Sequence, residues 1–237
     1  QLLPTYDVFD EARYFEADER PGIARTIAGL DIGVTICEDA WQHCGATPND
    51  YDSDPIAQIV EWGRQGVVLD ATVNLSASPY HADKSGIRIA VARSAASSLN
   101  HPFLLANQVG GNDDLLFDGR SIIAWPDGTA VVAPAWTQGV LLTDLSDPKE
   151  CTWIGDGEVT ILKPGEELKE DENDLLDAIV IGLADYCRKS GISKIVLGLS
   201  GGIDSALAAC VASAAVGAQN VTGISMPSRH SSQHSID

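Results

Sequence analysis

The stretch KIVLGLSGGIDSALAA, residues 194–209, constrains the fold most, because an apolar strand runs straight into Ser200-Gly201-Gly202-Ile203-Asp204-Ser205 and then into a small-residue helix. Adjacent glycines let the backbone turn sharply and present consecutive N–H groups, and the helix start adds partial positive charge. Such a turn suits phosphate oxygens. Ser200 and Ser205 can donate hydroxyl bonds, whereas Asp204 suits a magnesium ion bridging the phosphates. Neither the GxxxxGK[ST] loop nor the GxGxxG fingerprint is present. With a second apolar run at 220–225, the segment predicts one βαβ unit: strand 194–199, helix 204–216 and strand 220–225.

Upstream the texture changes. From residue 1 to about 147, short apolar runs at 32–36, 67–73, 103–106, 121–124, 130–132 and 140–142 alternate with Gly, Pro, Asn and Asp clusters, which reads as strands. Pro126-Asp127-Gly128 between SIIAW and TAVVA predicts a hairpin, since it supplies a preset φ and then a residue free to take positive φ. Residues 84–99 place apolar side chains three and four apart and predict a helix; 48–54 are turn-rich and predict a loop. The acidic run 165–171 predicts a solvated connection. A helix follows over 173–190, with acidic residues first, Arg188 and Lys189 last and Gly191 beyond. The division is therefore 1–147, a connecting segment 148–172, and 173–237.

The net charge of −19, from 34 acidic and 15 basic residues, argues against nucleic acid or an anionic membrane as partner. No apolar run reaches the length of a membrane span, and the opening residues lack a signal-peptide pattern, so a cytoplasmic location is expected. Cys37, Cys44, Cys151, Cys187 and Cys210 are odd in number and widely spaced, with no CxxC pair, so neither a disulfide framework nor a zinc site is expected. Cys37 follows a strand, a place where a rigid backbone can present a nucleophile to a pocket. A small buried hydrophobe is the alternative role, and Glu38 and Asp39 would raise its pKa unless a cation lies close.

SGGxDS resembles the PP-loop of N-type ATP pyrophosphatases, and ICEDAW, NLSASPYHADK and NQVGGNDDLLFDGRS resemble, in order and spacing, the glutaminase domain of the glutamine-dependent NAD synthetase family, within the nitrilase superfamily. SMPSR resembles the segment after the second strand in the same family. The resemblance implies an α/β chain: a partial nitrilase-like α-β-β-α sandwich, then the first βαβ unit of a Rossmann-like adenine nucleotide α-hydrolase (PP-loop) domain. It implies Cys37 as nucleophile; Tyr6, Glu38, Trp41, Ser78, Tyr80 and Lys84 around L-glutamine; and Gly198, Leu199, Ser200, Gly201, Gly202, Ile203, Asp204, Ser205 and Arg229 around ATP, with Asp204 on Mg²⁺. Glu11 would support the triad, whose lysine is expected just before Gln1 and whose glutamate earlier still, so this stretch alone is not expected to hydrolyse glutamine.

The implied reaction is release of ammonia from L-glutamine and ATP-dependent amidation of deamido-NAD, by an enzyme forming homo-oligomers. Both ends of the chain read as cuts. Two other readings remain open: a nitrilase-type amidohydrolase fused to an unrelated nucleotide-binding unit, or a non-catalytic nucleotide-binding fragment.

Overall fold

The computed structural model describes residues 1–6, 8–18, 22–25, 28–165 and 172–226. The chain divides into two compact units, Gln1–Val109 with Phe117–Glu170, and Gly110–Leu116 with Asp171–Asp237.

In the first unit the chain order is β1 (Gly22–Arg25), β2 (Asp31–Ile36), α1 (Pro55–Arg64), β3 (Ala71–Ser76), α2 (Lys84–Leu99) and β4 (Phe103–Asn107). After a hairpin of β5 (Val109–Asn112) and β6 (Leu115–Asp118) come β7 (Ile122–Ala124), β8 (Ala130–Val132), β9 (Gly139–Asp144), β10 (Asp147–Gly155) and β11 (Glu158–Leu162). Six strands form one sheet in the order β1-β2-β3-β4-β7-β8. Its centre, β2, β3 and β4, is parallel, and α1 and α2 are the crossovers that parallel pairing requires.

Alternation along the strands buries both faces of that sheet. Phe103, Leu105, Ile122, Ala124, Ala130 and Val132 point to the helix side with Ile56, Ile59, Ile89 and Ala92. Ile123, Trp125 and Val131 point the other way, with Leu104, and meet Cys151, Leu141 and Leu162 of the three-stranded sheet β11-β10-β9. The two faces follow directly from the period of two. The hairpin expected at 126–128 is present: Ile122 pairs with Val132, and Gly128 takes φ +87°.

Two sequence readings are corrected here. Residues 148–172 do not serve only as a connector, because β10 and β11 run through 147–162 and bury Cys151 and Trp153, so the first unit reaches Glu170. The run Asp147-Pro148-Lys149-Glu150 that opens β10 disguised those strands, because it carries charge and a proline where an apolar strand signal is sought. Strand β3 starts at Ala71, not at 67; Val68 is 78% exposed in the turn that follows α1. Helix α1 was unanticipated, although Asp54-Pro55 is a start signal: the Asp54 carboxylate accepts from the Ala57 N–H at 2.9 Å. Most of the acidic run 165–171 lies outside the described residues.

The second unit contains α3 (Glu172–Lys189), β12 (Ile195–Leu199), α4 (Ile203–Val216) and β13 (Val221–Ser225), together with the 110–116 hairpin tip. β12 and β13 are parallel, with Ile195 opposite Val221, which is the expected βαβ unit. The hairpin is held to α3 by Asp185, which accepts from the Gly111 N–H at 2.8 Å, and by Lys189, which donates to the Gly111 carbonyl. Among the described residues, no helix is long and apolar enough to cross a membrane.

The most demanding interaction in the first unit is ionic. Arg88 of α2 donates to Asp118, both side chains being fully buried, and Arg120 lies 3.4 Å from the same carboxylate. Removing one partner of a buried pair leaves a charge with neither water nor counter-ion. Asp118→Ala is therefore expected to destabilise the 237-residue chain by about 3–5 kcal/mol in urea denaturation. A loss below about 1 kcal/mol, the range of exposed pairs, would contradict this account.

Candidate functional site

Parallel pairing ends β2, β3 and β4 at a common edge, with Ile36 opposite Leu75 and Ser76 opposite Asn107. The residues just past those ends, Cys37, Ala77, Ser78 and Gln108, gather there. Cys37 opens a 3-10 turn, Cys37–Ala40, at φ +42°, a left-handed conformation that a residue bearing a Cβ adopts only at a cost. It lines a cavity of about 680 Å³ with Glu11, Glu38, Ser76, Ala77 and Asn107. The strand-end presentation expected of Cys37 is what the structure has.

Burial pushes the Cys37 thiol above its ordinary pKa. The Ala77 N–H opposes that push, Glu38 adds to it, and the Ser76 hydroxyl and the Lys84 charge work against it. Asp39 accepts from the N–H groups of Leu2 at 2.6 Å and Ile36 at 2.8 Å. Glu38 raises the thiol pKa as expected, but burial is the larger cause, and Asp39 is engaged with the backbone of its own turn.

Glu38 is 5% exposed and is surrounded by hydroxyls. Tyr6 donates to it at 2.8 Å, Thr47 donates at shorter range, and Tyr51 stands at 3.3 Å. Burial, with Glu38 next, raises the Tyr6 phenol far above its ordinary value, so it stays protonated as a donor. Tyr6 and Glu38 were expected together. Thr47 and Tyr51 were not, and nothing in their loop sequence announces a carboxylate partner nine and thirteen positions away.

Lys84 begins α2 with its ammonium 5.4 Å from the centre of the Trp41 ring, a cation–π arrangement. Burial and then Arg88 lower its pKa; Cys37, Glu38 and Asp118 raise it. Trp41 itself is 7% exposed and packs in the helix-side core. Tyr80 meets Trp136 edge to face at 4.9 Å. Ser78 is buried and its N–H donates to the Asn107 side chain at 2.9 Å, while its hydroxyl has no partner among the described residues. Cys37, Glu38 and Glu11 share one cavity wall, and Tyr6 reaches it through Glu38; Trp41, Ser78, Tyr80 and Lys84 do not line that cavity.

In the second unit, Ser200-Gly201-Gly202 follows β12 and caps α4, with Gly201 at φ +80°. The two serines organise the loop: the Ser200 N–H donates to Ser205 Oγ at 3.3 Å, and Ser200 Oγ accepts from the Gly202 N–H at 3.3 Å. The start of an α-helix leaves N–H groups without helical acceptors. Gly198 and Ser200 through Asp204 are exposed, with Leu199 and Ser205 half-buried, so that this surface is open to a ligand. Asp204 lies in the first turn of α4. Arg229 lies outside the described residues.

The raised thiol pKa makes a measurable statement. Alkylation of the 237-residue chain with iodoacetamide, followed residue by residue in mass spectra, is expected to be slower at Cys37 than at exposed Cys210 near neutral pH. The Cys37 rate should rise with pH, because alkalinity forms the thiolate, and reach half-maximum above the ordinary thiol value of 9.0. A half-maximum below that value would contradict burial as the governing influence.

Comparison with known proteins agrees with both halves. The NAD synthase family model matches residues 175–237. The chain is 41% identical over 237 residues to a glutamine-dependent NAD(+) synthetase of Synechocystis sp., covering 99% of this chain and 40% of that protein. It is 38% identical over 236 residues to that of Rhodobacter capsulatus, covering 99% and 39% respectively. Among solved structures, the glutamine-dependent NAD+ synthetase from Acinetobacter baumannii in complex with adenosine diphosphate superposes with a TM-score of 0.76 at 31% identity, over 99% of this chain and 40% of that one. The Cytophaga hutchinsonii glutamine-dependent NAD(+) synthetase shares the fold, with a TM-score of 0.61 at 20% identity over 98% of this chain and 42% of that one. A cysteine just past a strand end and a Gly-Gly turn before a helix thus occur here in a chain that is similar, along 99% of its length, to glutamine-dependent NAD(+) synthetases, about 40% of whose length it spans.

Proposed function

We propose that this chain works as part of a glutamine-hydrolysing NAD(+) synthase, a carbon–nitrogen ligase that takes ammonia from L-glutamine and uses ATP to amidate deamido-NAD. The observation that carries the reading is the pairing, in one chain, of a cysteine held at a left-handed strand end beside a buried carboxylate with an SGGxDS loop between parallel strands. The relatives' names supply the substrate class.

In this reading, Cys37 Sγ attacks the side-chain amide carbon of glutamine, the carbon–nitrogen bond breaks and ammonia leaves. Water then cleaves the thioester, giving glutamate and the free thiol. The Ala77 N–H, which favours the charged form of the thiol, is assigned to steady sulfur charge. Tyr6, Glu38, Trp41, Ser78, Tyr80 and Lys84 are assigned to glutamine, with the Lys84 cation suited to its α-carboxylate and the open Ser78 hydroxyl and buried Glu38 to its polar atoms. Glu11, on the same cavity wall, is assigned a supporting role beside Cys37.

Gly198, Leu199, Ser200, Gly201, Gly202, Ile203, Asp204, Ser205 and Arg229 are assigned to ATP. The phosphate-facing donors are backbone N–H groups and two serines, which suits a strongly acidic chain. ATP would adenylate the nicotinate carboxylate of deamido-NAD, releasing pyrophosphate, and ammonia would displace AMP. Among the described residues, no three or more His, Cys, Asp or Glu side chains group to hold a metal, and Asp204 offers a single carboxylate. That donor set fits Mg²⁺, which is bound through one or two carboxylates plus substrate phosphates, and whose charge would neutralise the phosphates. We further propose a cytoplasmic homo-oligomer with neither membrane nor nucleic acid as partner; the net charge of −19 supports the latter part.

The test uses the full-length protein and two nitrogen donors. Cys37→Ala is expected to lower NAD formation from glutamine at least about a thousandfold, as loss of a covalent nucleophile does, while the rate with ammonium stays within about twofold. Asp204→Ala should instead depress both donors alike, because it acts on the adenylation they share. Loss of both donors in Cys37→Ala, or of neither, would overturn the division of labour.

A further inference from the structure

The backbone of Cys37 is strained, and something must hold it. β2 and β3 are paired so that Thr35 lies opposite Asn74, and Asn74 is fully buried between them. Its amide nitrogen donates to Thr35 Oγ1 at 3.0 Å and to the Cys37 carbonyl at 3.2 Å. Its amide oxygen accepts from the Ser76 hydroxyl at 2.5 Å. Thr35 in turn donates to the Val73 carbonyl at 3.1 Å.

The proton directions in this network follow from the partners. Thr35 Oγ1 gives its one hydrogen to Val73, so it can only accept from Asn74; the Cys37 carbonyl can only accept as well. The amide nitrogen must therefore face both, which turns the amide oxygen to Ser76. A flipped amide would set oxygen against two acceptors. Every polar atom of the Asn74 side chain is thereby engaged in a dry setting, where such a bond is strong and its loss costly.

We propose that Asn74 is a positioning residue for Cys37, clamping the carbonyl of the nucleophile so that the left-handed turn keeps its sulfur aimed into the cavity. The clamp restrains the peptide on the C-terminal side of Cys37, directly next to its left-handed φ. Asn74 touches no cavity wall, so it acts through Cys37 and not on substrate. Ser76 connects the two: it orients the Asn74 oxygen and its own hydroxyl lies beside the thiol. The proposal rests on the reading of Cys37 as the glutamine nucleophile and adds to it a residue whose substitution should change turnover more than binding.

Full-length enzyme carrying Asn74→Ala is compared with wild type, Cys37→Ala and Thr35→Val. Asn74→Ala is expected to lower kcat with glutamine at least about twentyfold, with KM within about threefold, since misaiming a reacting atom affects the chemical step. Its rate with ammonium should stay within about twofold of wild type. Thr35→Val removes the other acceptor of the same amide without touching the bond to Cys37, and should keep at least about half the glutamine kcat. The proposal fails if Asn74→Ala keeps its glutamine kcat, if it loses both donors alike, or if Thr35→Val falls as far. Retention of glutamine use by Cys37→Ala would instead sink the underlying assignment of the nucleophile, a separate outcome.

Discussion

Parallel pairing of β2, β3 and β4 is the constraint from which the first unit's chemistry follows. Because parallel strands all point one way, their carboxyl ends arrive at one edge, and the loops leaving that edge are neighbours however far apart they are in sequence. Cys37, the 76–78 segment and Asn107 are brought together in this manner. The crossovers α1 and α2 cover one face of the sheet, α1 with Ile56 and Ile59, and α2 with Ala92, Ala95 and Ala96 in the same core as Phe103 and Leu105.

Charge in this unit is managed by hydrogen bonds more than by water. Glu38 is held by phenol and threonine hydroxyls, Asp39 by two backbone N–H groups, and Asp118 by two guanidinium groups, all of them buried. A buried carboxylate without such partners would carry a large desolvation cost. Lys84, half-buried over Trp41, supplies positive charge near the thiol and Glu38. The 200–205 loop of the second unit is the opposite case: largely exposed, and built from backbone N–H groups and small hydroxyls.

How much of this was legible varied with the range of the interaction. Helix 84–99, the 126–128 hairpin and the strand-loop-helix at 195–216 could be read because each is specified by neighbours in sequence: apolar spacing, turn residues, adjacent glycines. Strands β10 and β11 escaped because β10 opens on Asp147-Pro148-Lys149-Glu150, and only the presence of Trp125 and Ile123 across the interface gives Cys151 and Leu162 a side to bury. Thr47, Tyr51 and Asn74 escaped for a related reason. Nothing local marks a hydroxyl or amide for a carboxylate or carbonyl that the chain reaches only after folding.

The sequence by itself determined the kinds of chemistry on offer: a cysteine after an apolar run, a Gly-Gly turn with two serines and an aspartate before a helix, and a charge balance hostile to polyanions. Those depend on residue type and on separations of a few positions. Tertiary structure decided which groups meet, and therefore their ionisation and aim. Burial sets the Cys37 thiol high, Asp39 accepts from the backbone of its own turn, and Asn74 from the neighbouring strand holds the Cys37 carbonyl. Such outcomes require the strand register, because a shift of one residue would send Asn74 to the opposite face of the sheet.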